Sequence, residues 1–340
     1  MGVDGRVVCF GELMLRLTAM HSGVLLQERR LDCTFGGAEA NVAVSLARLG
    51  WPSAMVTVLP DNPIGVTARD ELRRFGVDVD RVHLTPGRMG LYFLTPGAVL
   101  RPSEVLYDRQ GSSFAEAAPD LIDWHTALAG AGRLLVSGVT PAIGRKAADA
   151  ALRAVAAANR LGVPVAFDGN YRGKLWALWD GDGPAILRTL FAGAEIAFAD
   201  DRDMALVLGR SFAEPDGAAR RRAAADAAFT AFPRLQVIAS TVRTLTAAHE
   251  QALSAVLFRR GADEVATGPL TLSGVVDRIG AGDAFAAGLL FGLHTGCTDQ
   301  RALDLALAAA AFKHSVPGDF NMATATDLDT LLSGALDVRR

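Results

Sequence analysis

The order of apolar segments predicts an α/β protein: a mainly parallel central sheet covered by helices on both faces, with a small separate β-sheet. Three observations carry this. Apolar runs of buried-strand length alternate with helical patterns along most of the chain, which is the signature of a parallel sheet. Two stretches, residues 13 to 35 and 88 to 114, break the alternation and have the character of short strands and loops. The 340 residues, 50% of them hydrophobic, suffice for one large core, so residues 1 to 340 are expected to form a single domain carrying those two stretches as a β-sheet lid.

The elements follow in order. Val7 to Phe10 is a short apolar strand stopped by Gly11. Ala38 to Leu49 has Val42, Leu46 and Leu49 on one helical face and ends at Gly50. A strand over Ala54 to Leu59 and a helix over Gly65 to Phe75 come next. Within the second break, Leu91 to Leu94 and Val105 to Tyr107 are expected to be strands. Further strands are expected at Leu134 to Ser137, Val163 to Asp168, Glu195 to Ala199 and Gln236 to Ser240, with helices at Ile143 to Leu161 and Gly217 to Phe229. In such a sheet, ligands bind beyond the carboxyl ends of the strands.

Composition narrows the function. A net charge of −3 gives no basic footprint for nucleic acid, so no nucleic-acid partner is expected. The apolar run Leu303 to Phe312 is too short to cross a bilayer, and no membrane association is expected. Cys9, Cys33 and Cys297 have neither disulfide-framework nor zinc spacing; with no signal-like segment at the start, a cytoplasmic location is expected. The six histidines show no ligand spacing.

The segment richest in chemistry is Asp277-Arg278-Ile279-Gly280-Ala281-Gly282-Asp283-Ala284-Phe285, between a β-like run (Gly274 to Val276) and an apolar helix (Ala284 to Leu293). Gly280, Ala281 and Gly282 allow a tight turn whose N–H groups converge at a helix start, an anion hole reinforced by the helix dipole. Asp283 stands in the first turn, where those groups favour its charged form. Anion hole and carboxylate together suit phosphoryl transfer, the carboxylate accepting the proton of an attacking hydroxyl. A bare Gly-x-Gly-Asp is more often a plain helix cap; the flanking Asp277 and Ala284-Phe285, far down an α/β chain, shift the balance.

This segment resembles the Asp-Thr-x-Gly-Ala-Gly-Asp-x-Phe signature of the ribokinase, or PfkB, carbohydrate kinases. A second signature, Gly-Gly then Asn at the start of a helix, is matched by Gly36-Gly37-Ala38-Glu39-Ala40-Asn41-Val42-Ala43. Asn62-Pro63-Ile64-Gly65 and Phe75-Gly76-Val77-Asp78 stand where that family has its next helix, so the resemblance spans nearly the whole chain. It implies a ribokinase-like fold with a β lid, ATP as phosphoryl donor with Mg²⁺, room for a monovalent cation, and a homo-oligomer. Asp283 would be the base, with Gly280, Ala281 and Gly282 around the transferring group.

Three more segments resemble the 2-keto-3-deoxygluconate kinases within that family: Asp168-Gly169-Asn170-Tyr171-Arg172 with Leu175-Trp176, the lid Tyr107-Asp108-Arg109, and Lys313-His314-Ser315-Val316-Pro317-Gly318-Asp319. A sugar-acid substrate is implied, phosphorylated at its terminal hydroxyl. Arginine pairs with a carboxylate through two parallel hydrogen bonds, which makes Arg109 and Arg172 candidates for the acid group, or for the nearby carbonyl and phosphate groups. Gly37, Asn41, Tyr92, Tyr107, Asn170 and Asp319 complete the expected substrate side, Gly37 by letting the backbone come close to the sugar. Asp200-Asp201-Arg202-Asp203 stands where the family has Asn-x-x-Glu; Asp200 and Asp203 are the candidates near Mg²⁺. Ser240-Thr241-Val242-Arg243 replaces the usual nucleotide loop, with Thr241 and Arg243, besides Asp200, Gly280 and Gly282, as nucleotide contacts. Arg278 replaces the signature threonine. Rival readings are a kinase for a neutral sugar and a catalytically silent sugar sensor. A nicotinamide-dependent dehydrogenase lacks its G-x-G-x-x-G after the first strand.

Overall fold

A computed structural model describes residues 5–247 and 249–334. The strands are β1 (Arg6–Phe10), β2 (Met14–Ala19), β3 (Leu31–Gly36), β4 (Ser53–Pro60), β5 (Asp78–Thr85), β6 (Leu91–Thr95), β7 (Glu104–Asp108), β8 (Ala131–Ser137), β9 (Val165–Asp168), β10 (Ile196–Phe198), β11 (Val237–Ala247), β12 (Glu250–Arg259), β13 (Val265–Ala266) and β14 (Leu270–Ser273). Ten of them form one sheet in the order β13-β12-β11-β10-β9-β8-β1-β4-β5, with β14 also paired to β12. The pairs from β11 through β5 are parallel; those of β12 with β11, β13 and β14 are antiparallel.

The strands read as unbroken apolar runs because both faces of the sheet are buried. Val8, Phe10, Leu134, Val136 and Phe167 point into a core with the helices Arg145–Leu161, Gly183–Gly193 and Gly217–Ala231. Val7, Cys9, Leu135 and Ala166 point the other way, into a core with Ala38–Leu49, Ala281–His294 and Asp299–Lys313. Each valine, leucine and phenylalanine side chain so withdrawn from water contributes roughly 1.5–3 kcal/mol against the entropy of ordering the chain. The Leu303 to Phe312 run lies inside the last of these helices and is buried except at Asp304 and Phe312, which are partly exposed; no helix among the described residues is long and apolar enough to cross a membrane.

The two predicted interruptions assemble into the second sheet, ordered β3-β2-β6-β7. β2 and β6, from different interruptions, pair in parallel, while β3 and β7 pair antiparallel on the outside.

Local chemistry accounts for the boundaries that shift. The helix expected from Ile143 begins at Arg145, because Gly144 separates it from a short turn of helix at Val139–Ala142. The helix expected from Gly65 starts two residues earlier, at Pro63, since Asn62 caps it by accepting from the N–H groups of Ile64 and Gly65 at 3.0 and 3.1 Å. The strand expected to end at Ser240 runs on to Ala247, paired with β12 from Val237↔Arg259 through Ala247↔Glu250. Ser240 to Arg243 is therefore part of a long hairpin, not a loop.

The helices Ala281–His294 and Asp299–Lys313 pack closely because glycines face the contact. A Cβ at Gly288 would lie 2.8 Å from the Cα of Ala306 and 2.9 Å from the carbonyl oxygen of Leu305, both backbone atoms. Gly288→Ala is expected to force these helices apart and cost about 1–3 kcal/mol despite its gain in helix propensity. Urea unfolding measures this; a variant as stable as the parent would mean that the interface yields freely.

Candidate functional site

A cleft of about 720 Å³ opens at the carboxyl ends of β1, β8, β9 and β10 and beside Ala239, Ser240 and Thr241 of β11. The small sheet closes one side through Met14, Tyr92, Val105 and Tyr107. Gly37, Asn41, Tyr92, Tyr107, Arg109, Asn170, Arg172, Asp200, Asp203, Thr241, Gly280, Gly282, Asp283 and Asp319, drawn from opposite ends of the chain, all line it. Two expected residues do not. Ala281 is buried behind the loop, and Arg243 is exposed on the hairpin. Arg243 acts on the cleft only at a distance: burial and then the Arg243 charge lower the pKa of Arg278, which does line it.

Gly280 begins the helix Ala281–His294 with φ 83°, a left-handed conformation, and a Cβ there would meet the carbonyl oxygen of Asp319 at 2.1 Å. Both demands require glycine. Gly282 by contrast faces open space, so the helix start is bare toward the cleft, where its first N–H groups lack intrahelical partners.

The sequence places the Asp283 carboxylate beside N–H groups that hold its pKa down; the structure reverses the sign. Its one described hydrogen bond comes from Asn41 Nδ2, at 2.6 Å. Burial dominates and raises its pKa to about 6, the Asn41 bond working against the rise. Asp283 remains mostly ionised at neutral pH, but as a stronger base than an ordinary aspartate. Asn41 is itself buried and also accepts from the Gly37 N–H at 3.3 Å, so it positions Asp283.

Around Asp283 stand further carboxylates with raised pKa values. Burial, then the charges of Asp283 and Asp203, lifts Asp168 well above the usual range. Burial and then Asp200 lift Asp203 to about 6. Asp200 and Asp203 form a capping box on the helix Asp201–Leu208, and Arg202 pairs with Asp200 at 2.5 Å. Below them Glu39 is 1% exposed, accepts from the Ser137 N–H at 2.9 Å and the Thr140 hydroxyl at 2.6 Å, and is pushed by burial to about 7. Among the described residues no group of three metal-ligating side chains could hold a metal ion alone.

On the other side of the cleft the charges are paired. Arg16 is 2% exposed on β2; its guanidinium donates to Asp319 at 2.8 Å and to Asp277 at 2.5 Å. Tyr92 donates to Asp319 at 2.5 Å. Asp277 accepts from the N–H groups of Ile279 and Gly318 at 2.9 and 3.1 Å, so one carboxylate ties the glycine loop to the turn carrying Asp319. Arg109 is buried and committed to Glu12, with Nε to Oε2 at 2.7 Å, while Ser112 donates to the other oxygen at 2.5 Å. Arg172 is exposed, donates only to the Tyr171 carbonyl at 3.3 Å, and makes no ion pair among the described residues. Like Arg278, it is a cleft guanidinium without an ion pair among the described residues, and it is near enough to act on Asp168, Asp203 and Asp283. Asn170, left-handed at φ 36°, turns the chain between Asp168 and Arg172 and donates to Ser137 at 2.9 Å.

The steric role given to Gly37 also changes. The space its Cβ would need is filled by the carbonyl oxygen of Glu12 at 2.1 Å, and the Asp319 carboxylate fills that of Gly36 at 2.0 Å. At both glycines the missing Cβ makes room for other parts of the protein, while Gly37 itself still lines the cleft.

Sequence reasoning passes over Arg16, Glu12 and Glu39. Their signal is faint: an arginine between Leu15 and Leu17 on a strand, and single acids in apolar surroundings. Arg278, unexplained by its motif, donates to the Ala247 carbonyl at 2.8 Å and so joins the loop to the end of β11.

The chain is similar to known proteins along nearly its whole length. Residues 4–325 match the profile of the pfkB family carbohydrate kinases. A 2-dehydro-3-deoxygalactonokinase of Haloferax volcanii is 32% identical over 332 residues, covering 98% of each chain. A 2-dehydro-3-deoxygluconokinase of Thermoproteus tenax is 28% identical, covering 92% of this chain and 89% of its own. The crystal structure of the Thermotoga maritima 2-dehydro-3-deoxygluconokinase superposes with a TM-score of 0.91 at 35% identity, over 97% of this chain and all of that one (100%).

Glu39 yields a prediction about pH. An acid whose folded pKa lies above its unfolded value binds its proton more tightly in the native state, so stability falls as pH rises from the unfolded to the folded pKa. For Glu39 that window runs from 4.5 to about 7. Glu39→Gln keeps an acceptor and removes the titration; its stability relative to the parent should improve by about 2–3 kcal/mol between pH 5 and pH 7.5. Denaturation at both pH values checks this, and a difference independent of pH would show that Glu39 does not titrate there.

Proposed function

The chain belongs to the pfkB family of carbohydrate kinases, and within that family we propose that it phosphorylates a 2-keto-3-deoxy sugar acid, first 2-keto-3-deoxy-D-gluconate, at its terminal hydroxyl with ATP. The observation that carries the choice of an acid is Arg172, a cleft guanidinium without an ion pair, of the kind that takes a carboxylate through two parallel bonds. Its near neighbours Asn170 and Tyr171 line the same wall. Tyr92 and Asp319 present oxygen atoms suited to sugar hydroxyls, their mutual bond and Arg16 holding both in place. Arg109, bound to Glu12, shapes the wall beneath Tyr107.

Asp283 takes the proton of the attacking hydroxyl. Its raised pKa makes it a better acceptor, and Asn41 fixes its direction. The new bond joins the sugar oxygen to the γ-phosphorus, the bond from that phosphorus to the bridging oxygen of ADP breaks, and the bare helix start at Gly280–Gly282 faces the charge on the transferring group. Thr241 and Arg278 lie on the nucleotide side. The residues suit Mg²⁺: Asp168, Asp200 and Asp203 are hard oxygen donors whose charges crowd one another, and they would hold the ion through its water shell while phosphates bind it directly. Bound there, Mg²⁺ would neutralise phosphate charge. The small sheet is the lid of this reading; it walls the sugar side and would exclude water that competes for the phosphoryl group. The same reading has the protein working in the cytoplasm.

A second substrate has specific support. The Haloferax relative is named for the galactonate epimer, so the two 2-keto-3-deoxy acids should be compared directly. Release of ADP from Mg-ATP, measured over both acids and over fructose, tagatose and ribose, tests the assignment. The acids should give the higher kcat/KM, and Arg172→Ala should lose that preference while ATP binding changes little. A higher kcat/KM on a neutral sugar would overturn the acid.

Asp283→Asn keeps the size of the side chain and a partner for Asn41. Binding of sugar and nucleotide should survive, while kcat falls by roughly 10²–10⁴. In the parent, kcat/KM should decline as pH drops through about 6, where Asp283 gains its proton. Steady-state kinetics with direct binding on the folded variant checks both; parent-like turnover by the variant would remove Asp283 as the base.

A further inference from the structure

Beneath the glycine loop lies a charge that the mechanism above does not use. Lys313 ends the helix Asp299–Lys313 and is completely buried, at 0% exposure. Its ammonium donates to the carbonyl oxygen of Val316 at 3.0 Å, and among the described residues it makes no ion pair. A buried ammonium is costly unless its surroundings replace water. Here they do so from several elements. Burial lowers its pKa, and the charges of Asp277, Asp319 and Asp283 pull it back, with Arg16 opposing them.

The backbone around it belongs to the loop that faces the transferring group. The His314 carbonyl accepts from the N–H groups of Val276 and Asp277 at 2.8 and 3.4 Å. Gly318 donates to Asp277 at 3.1 Å, and the Asp319 carbonyl fills the space beside Gly280. Residues 313–319 and 276–280 are thus fastened together, with the ammonium at their junction. A carbonyl oxygen with carboxylates close by, in a buried setting, makes the surroundings of a bound cation. Without Lys313, Asp277 and Asp319 would have Arg16 as their ion-pair partner and no second buried cation beside it.

We propose that Lys313 is a tethered cation built into the loop: it takes the place that a bound monovalent cation would fill, holds residues 276–280 in the shape that receives the phosphoryl group, and frees the protein from any need for potassium or ammonium ions. Lys313 is a positioning residue, since it lines no part of the cleft. This rests on the kinase reading for its effect on turnover, but not for its effect on the empty protein.

The test uses the full chain at constant ionic strength, with choline chloride exchanged for potassium or ammonium chloride. Turnover of 2-keto-3-deoxygluconate with Mg-ATP and the Tm of the ligand-free protein are both followed. The parent should be indifferent to the exchange in both. Lys313→Met, which keeps the volume and removes the charge, should lose about 10²-fold in kcat, and potassium or ammonium should partly restore its rate and raise its Tm where choline does not. A plain structural role would be insensitive to the identity of the cation. Activation of the parent by potassium overturns the proposal, and this arm needs no variant. So does a folded Lys313→Met that turns over like the parent, or that responds to potassium as it does to choline. If Lys313→Met does not fold, Lys313→Gln takes its place in the same two measurements. The Tm arm contains no sugar, so a wrong substrate leaves it intact.

Discussion

Arg16 holds together three parts of the chain that share no local sequence. From one strand of the small sheet it reaches Asp277, at the head of the glycine loop, and Asp319, in the turn near the C-terminus. Burial works against its charge, yet the two aspartates more than offset this and its pKa is raised. Such a pair need not add to stability compared with apolar packing, but once formed it cannot lose one member without stranding the others. The constraint reaches outward. Asp277 sets the loop through Ile279 and Gly318, Asp319 stands against Gly36 and Tyr92, and Gly36 and Gly37 lead into the helix that carries Asn41 to Asp283. The wall of the cleft and the loop at its floor share one buried set of charges.

Across the cleft the balance is different. Asp168, Asp203, Asp283 and Glu39 crowd together with raised pKa values, and Arg172, which makes no ion pair among the described residues, stands nearby. A protein does not gather like charges without a partner unless a ligand brings the opposite sign or a proton is to be moved. Both fit phosphoryl transfer, where Mg²⁺ arrives with the nucleotide and one carboxylate must accept a proton. On the proposed function, the paired side would position the sugar and the unpaired side would receive the charge.

Much of this was legible in the sequence where function imprints on consecutive residues. Gly36 to Asn41 and Gly280 to Asp283 are contiguous because each turns the backbone and starts a helix at once, and both ends of the cleft followed from them. The small sheet was legible as a break in a regular alternation, which the order β3-β2-β6-β7 explains. What stayed hidden was pairing at long range. Arg16 and Asp319 are 303 positions apart, and nothing near either announces the other. Arg109 had the right residue type but not its freedom, since Glu12, which claims it, lies 97 positions earlier. The direction of the Asp283 shift was also out of reach, because a motif shows neighbours along the chain and not the depth at which they are buried.

The parallel pairing of β2 with β6 has a consequence for how such a protein can be altered. Each interruption supplies a hairpin-like half whose inner strand is completed by the other half. Neither half is a module. Grafting one insertion from a relative, to import its preference for a sugar, would set a foreign strand edge against a native one and expose unpaired backbone at the seam. The specificity of the wall is inherited as a pair of insertions or not at all, so chimeras that exchange residues 13–35 and 88–114 together should recombine where single exchanges fail.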